Sequence, residues 1–161
     1  MKPLRDAGRE KSPFPPPPLR AAAVRTVRFQ EVDLMGVVWH GRYPEYFEDG
    51  RCAVGRAYGL DYEDFFREEI KAPIVNLEVE YRHPLVLGNV FRVETSLLWT
   101  EAVRLNYEYV LRREVDGREV ARGRTVQLLL DVANNLLFVW PEYFIRIREA
   151  WRRGELRGSH E

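Results

Sequence analysis

The 161-residue sequence predicts an α+β fold, in which a sheet of five or six antiparallel strands packs on an early helix. Three observations carry this. Apolar residues recur at helical spacing from Tyr43 to Ala57, they alternate with polar ones in a series of stretches after residue 74, and helical spacing returns after Pro141. One helix covers only one face of such a sheet, so burial alone predicts self-association.

In order along the chain, Val27 and Phe29 alternate with Arg28 in a short strand. Tyr43, Phe47, Gly50, Val54 and Ala57 then share a helix face, and Pro44 suits the first turn. Gly50 and Gly55 inside that helix cost roughly 1 kcal/mol each against Ala, which points to a close neighbour. Asp61 caps a second helix whose buried face is Phe65 and Phe66, and Pro73 stops it. Val75, Leu77, Val79 and Tyr81 form one apolar strand face, Phe91 to Trp99 another strand, and Leu105 to Leu111 a third. Asp116-Gly117 signals a hairpin into the strand from Val120 to Asp131. Asn134-Asn135 turns into the apolar run Leu136 to Trp140, and Pro141 starts a last helix with Phe144, Ile147 and Trp151 on one face. Residues 1–22 read as a basic, proline-rich tail, residues 23–153 as the folded domain and residues 154–161 as a C-terminal tail.

Charge and cysteine content narrow the class. The 25 basic and 25 acidic side chains balance, so no global field favours nucleic acid or a membrane surface. Cys52 is the one cysteine, which precludes an internal disulfide framework and fits a reducing compartment. No signal peptide precedes the domain and no apolar run reaches the ~20 residues of a membrane span, so a cytoplasmic location is expected. His40, His83 and His160 lack metal-ligand spacing with Cys52, and no nucleophile elbow, phosphate loop or dinucleotide fingerprint is present.

Chemistry concentrates in Asp33-Leu-Met-Gly36-Val37-Val38-Trp39-His40-Gly-Arg-Tyr43, where an extended segment gives way to a helix. The start of a helix exposes unpaired N–H groups that attract developing negative charge, and a carboxylate lies a few residues upstream. Asp-x-x-Gly is also a common turn composition, so Asp33 has a purely structural reading as a turn or cap former.

The spacing as a whole resembles the signature of hotdog-fold acyl-CoA thioesterases, in the branch of 4-hydroxybenzoyl-CoA thioesterase and the Tol-Pal-associated acyl-CoA thioesterases. Asp33, Gly36, Val37, Val38, Trp39, His40 and Tyr43 fall in register, and Phe47-Glu48-Asp-Gly-Arg51 matches the Phe-Glu-x-x-Arg that follows. Gly88-Asn89 and Ala121-Arg-Gly123-Arg-Thr125 resemble later family patterns, while Arg42 stands where the family usually has Asn. The resemblance implies a curved sheet wrapped around a central helix, over about residues 24 to 150. It also implies a homodimer or homotetramer that joins its sheets, with active sites at the dimer interface.

For the site, the resemblance implies acyl-CoA as substrate and no cofactor or metal. On this resemblance Asp33 would be the catalytic nucleophile or general base, and the backbone N–H of His40 would polarise the carbonyl. Gly36, Val37, Val38, Trp39 and Tyr43 line the acyl end. Related enzymes meet the coenzyme A phosphates with a basic cluster after the third strand. Thr100-Glu101-Ala102 occupies that place here, leaving Arg104 as the candidate contact. A hotdog enoyl-CoA hydratase and a non-catalytic hotdog module are the competing functional readings.

Overall fold

The computed structural model describes residues 14–156. Five strands form one antiparallel sheet: β1 (Leu19–Thr26), β2 (Ile74–Tyr81), β3 (Val90–Leu98), β4 (Arg104–Arg113) and β5 (Glu119–Leu128). Their spatial order is β1-β3-β4-β5-β2. The sheet curves around α1 (Tyr43–Tyr58), with the short α2 (Tyr62–Arg67) after it and α3 (Glu142–Arg152) at the end, which is the hotdog arrangement.

Alternation explains the sheet. Phe91, Val93, Thr95 and Leu97 of β3 and Leu105, Tyr107, Tyr109 and Leu111 of β4 turn inward and are buried. The intervening residues turn outward and pair as ions, for example Arg92 with Glu114 at 2.9 Å and Arg112 with Glu94 at 3.2 Å. The Asp116-Gly117 turn forms as the sequence predicts, with Gly117 at a φ of 66°.

On α1, Tyr46, Phe47 and Val54 are fully buried, and Phe47 stacks on Tyr109 at 4.4 Å. Both interior glycines have the close neighbour expected of them. A Cβ on Gly50 would run into Thr95 Oγ1 of β3, and one on Gly55 would lie 2.7 Å from the Asp61 backbone. The C-terminal helix is fastened by Arg148, whose guanidinium sits between Trp99 at 3.9 Å and Trp140 at 4.2 Å.

Four expectations need correction. The first strand is Leu19–Thr26, not the stretch around Phe29: the chain leaves the sheet after Val27 because the Glu31 carboxylate takes the Arg28 N–H at 2.6 Å and winds a 3-10 turn. β1 therefore begins inside the segment read as a tail. Leu19 is buried and Trp151 Nε1 donates to Pro17 O at 2.7 Å, while residues 1–13 and 157–161 of the two tails lie outside the described residues. Phe65 is buried but Phe66 is 86 % exposed, since successive residues of a helix point about 100° apart and only Phe65 faces the core. Finally, the apolar run from Leu136 forms only a single bridge, Leu130 to Leu136, before Phe138 and Val139 emerge into solvent.

Candidate active site

The stretch from Glu31 to Trp39 folds as a miniature hairpin. Trp39 N donates to Glu31 O at 3.0 Å and Asp33 N to Val37 O at 2.8 Å, with Val32 bridging Val38 between them. Gly36, at a φ of 77° that disfavours a side chain, closes the turn by donating to Asp33 O at 3.0 Å. Val37 bridges Val86 and Val38 N donates to Leu85 O at 2.8 Å, which ties the hairpin to the loop before β3.

Asp33 has the turn-forming bonds of its structural reading. Its Oδ1 accepts from Met35 N at 2.8 Å and Val37 N at 3.4 Å. Its Oδ2 has no hydrogen-bond partner among the described residues and stays available for chemistry.

Beyond the hairpin, a 3-10 turn at His40–Arg42 feeds α1. The N–H groups of Val38 and Trp39 are committed to the hairpin and its neighbour, and Arg42 N donates to Trp39 O at 2.9 Å. Between them, the N–H groups of His40 and Gly41 have no acceptor among the described residues. Two adjacent free amides at a helix start are suited to an anionic oxygen. The Trp39 indole folds over Gly41, where a Cβ would run into it, and meets the His40 ring at 4.9 Å. Arg42, the departure from the family pattern, bonds Glu45 at 2.8 Å and Gln30 O at 3.2 Å, so it braces this turn from outside.

A partly buried ionic cluster adjoins the hairpin at Glu31. Glu31, 4 % exposed, faces Arg25 at 3.5 Å, and Arg25 also pairs with Asp49 and lies over the Tyr46 ring. Burial raises the Asp49 carboxyl above its ordinary value, and burial together with the Glu31 charge raises the Tyr46 phenol.

The structure brings Asp33, Gly36, Val37, Val38, Trp39, His40 and Tyr43 into one loop and helix start. Val38, His40 and Tyr43 line an open groove with Tyr81, Arg82, His83 and Pro84. Arg104 is not there. The groove lies at the level of Tyr81, Ala121 and Leu111 across the sheet, whereas Arg104 starts β4 at the other end, roughly 24 Å away at strand rise.

Two groove residues escaped the sequence reading of the site. The sequence places Tyr81 only on a strand face and offers His83 only as a residue without metal-ligand spacing, and no local pattern marks either. His83 Nδ1 lies 3.0 Å from Glu119 O, and since a carbonyl only accepts, Nδ1 is the donor of that bond.

The model of the thioesterase-like superfamily matches residues 27–147. A 1,4-dihydroxy-2-naphthoyl-CoA hydrolase of Synechococcus elongatus is 28% identical over 66% of this chain and 79% of its own length. A Thermus thermophilus protein of solved structure superposes with a TM-score of 0.72 at 29% identity, over 82% of this chain and 97% of that one. A DHNA-CoA thioesterase from Staphylococcus aureus has the same fold, with a TM-score of 0.72 at 22% identity over 84% of this chain and 95% of that one.

Proposed function

The chain belongs to the thioesterase-like superfamily, and from that premise we propose that it is a cytoplasmic acyl-CoA thioesterase with Asp33 as its catalytic carboxylate. The observation that carries the reading is the hairpin itself. It presents a carboxylate with one uncommitted oxygen, and it ends in free amides at the start of a helix. The Asp33-to-Tyr43 motif further supports the 4-hydroxybenzoyl-CoA thioesterase branch.

The chemistry follows from these parts. With the thioester oxygen at the His40 N–H, carbon becomes more electrophilic and the tetrahedral oxyanion is stabilised. Either Asp33 Oδ2 attacks that carbon, or Asp33 removes a proton from a water that attacks. In the first course the C–S bond breaks, coenzyme A leaves as the thiolate, and water hydrolyses the mixed anhydride. In the second the acid forms directly. Both courses end in a free acid and coenzyme A, with no electrons gained or lost.

The naphthoyl-CoA hydrolase likeness supports an aromatic acyl group, as do Tyr43 in the groove lining and Trp39 against the His40 ring. Assembly is part of the same proposal: β2 is exposed along most of its length, and a second copy paired along that edge would cover it and complete the groove.

The test is Asp33→Asn. Asn is among the best turn and cap formers, so a structural Asp33 would lose neither stability nor hydrolysis. A catalytic Asp33 would lose at least ~100-fold in free-thiol release from acyl-CoA esters, with folding and analogue binding retained. Near wild-type cleavage by this variant would remove Asp33 from the mechanism and transfer the carboxylate role to Glu48. Enoyl-CoA consumption without thiol release would favour the hydratase.

A further inference from the structure

The carbonyl of His40 lacks one of its ordinary partners. In an α-helix it would receive the N–H of residue 44, but that residue is Pro44 and has none. Tyr81 supplies a donor instead: its hydroxyl gives a 2.7 Å hydrogen bond to His40 O. Tyr81 stands at the end of β2, paired with Ala121, and its ring meets Tyr43 edge-on at 4.9 Å. Burial raises the Tyr81 phenol above its ordinary value, so the hydroxyl keeps its proton through the neutral range.

His40 C=O and Gly41 N–H belong to the same planar trans peptide and point in opposite directions. A hydrogen bond accepted at the carbonyl fixes that plane and polarises the peptide, which strengthens its N–H as a donor. The Gly41 N–H is one of the two amides without an acceptor among the described residues. We propose that Tyr81 is a positioning residue of the oxyanion pocket, which holds the His40–Gly41 peptide so that the Gly41 N–H joins that of His40 in binding the thioester oxygen. The chemistry of this proposal rests on the thioesterase reading. It adds a second oxyanion donor and places the residue that aims it on β2, the strand with the uncovered face.

Tyr81→Phe removes the hydroxyl and keeps the edge-on contact with Tyr43. Expected is a fall in kcat of about tenfold on a thioester the wild type cleaves, with KM and melting temperature unchanged. In the Asp33→Asn background, the infrared carbonyl stretch of a bound carbon-13-labelled thioester should move back toward its value in water when Tyr81→Phe is added. An unchanged kcat or an unmoved carbonyl band overturns the proposal, as does a loss of kcat that comes only with lost stability. If the wild type cleaves no thioester, the thioesterase reading fails by itself. Hydrogen exchange at the Gly41 amide then decides on Tyr81, because exchange no faster in Tyr81→Phe overturns the positioning role.

Discussion

β1 and β2 are both edge strands of one sheet, yet α1 packs along β1 and meets β2 only where Tyr43 touches Tyr81, leaving most of β2 exposed. Ala21, Ala23 and Arg25 of β1 are half-buried beneath α1, and the strand is held further by Tyr58, whose hydroxyl donates to Arg20 O at 2.9 Å. On β2, Leu77 is 39 % and Tyr81 50 % exposed, although the apolar alternation there is the stronger of the two. The difference teaches that hydrophobic patterning specifies a face to be covered without saying by what. At β1 the cover is the chain's own helix. At β2 no element of the described residues supplies most of it, and this is the side on which the groove, Tyr81 and His83 lie.

The comparison can be broken most severely on the covered side. Gly50→Val drives side-chain atoms into Thr95 and Val93, where helix and sheet are already in contact. A loss of about 3 kcal/mol is expected, or a melting temperature lower by roughly 10 °C, as measured by calorimetry. An unchanged melting temperature would mean that α1 can lift from β3, and the covered edge would no longer differ in kind from the bare one.

A smaller effect on stability, with a large one on assembly, is expected at β2. Leu77→Lys places a charge on the uncovered face, where the isolated fold should tolerate it within about 0.5 kcal/mol. Light scattering should then report a monomer, whereas Val24→Lys on the exposed face of β1 should leave assembly as in the wild type. Equal behaviour of the two variants would place the subunit contact elsewhere and remove the reason for a site beside β2.

The smallest effect is a pH dependence at the boundary between the two sides. Burial pushes the Tyr43 phenol up to about 12, with Tyr81 beside it adding to the shift. A folded value above the unfolded one near 10 gives stability that is complete below about pH 10 and is lost as pH rises toward 12. Tyr43→Phe should therefore shed part of the wild-type decline in melting temperature across that window and change nothing near neutrality. A parallel decline in both proteins would show that Tyr43 does not feel its burial.

How much could be read without coordinates follows the same division. The motif from Asp33 to Tyr43 is legible because a turn and a helix start are local and their residues are contiguous, whereas the hairpin they form came only with the structure. Gly50 and Gly55 announced close packing through their helix cost, and the neighbours are there. Pro44 announced a first turn, but its missing N–H became informative only once Tyr81 stood opposite His40 O. β1 was misplaced because its alanines give weak alternation, and its pairing with β3 joins segments some seventy residues apart.

By itself, the sequence determined the order of the elements, the turn and helix start that follow Asp33, and the apolar faces that need cover. Each of these rests on local backbone preference or on a period that neighbouring residues share. Only the tertiary structure decided that α1 lies over β1 and not β2, that Phe65 rather than Phe66 enters the core, and that Arg104 stands at the far end of the sheet from the groove. It alone brought Tyr81 to His40. Those outcomes depend on how distant segments meet when they compete for the same buried space, and no short-range pattern encodes the winner.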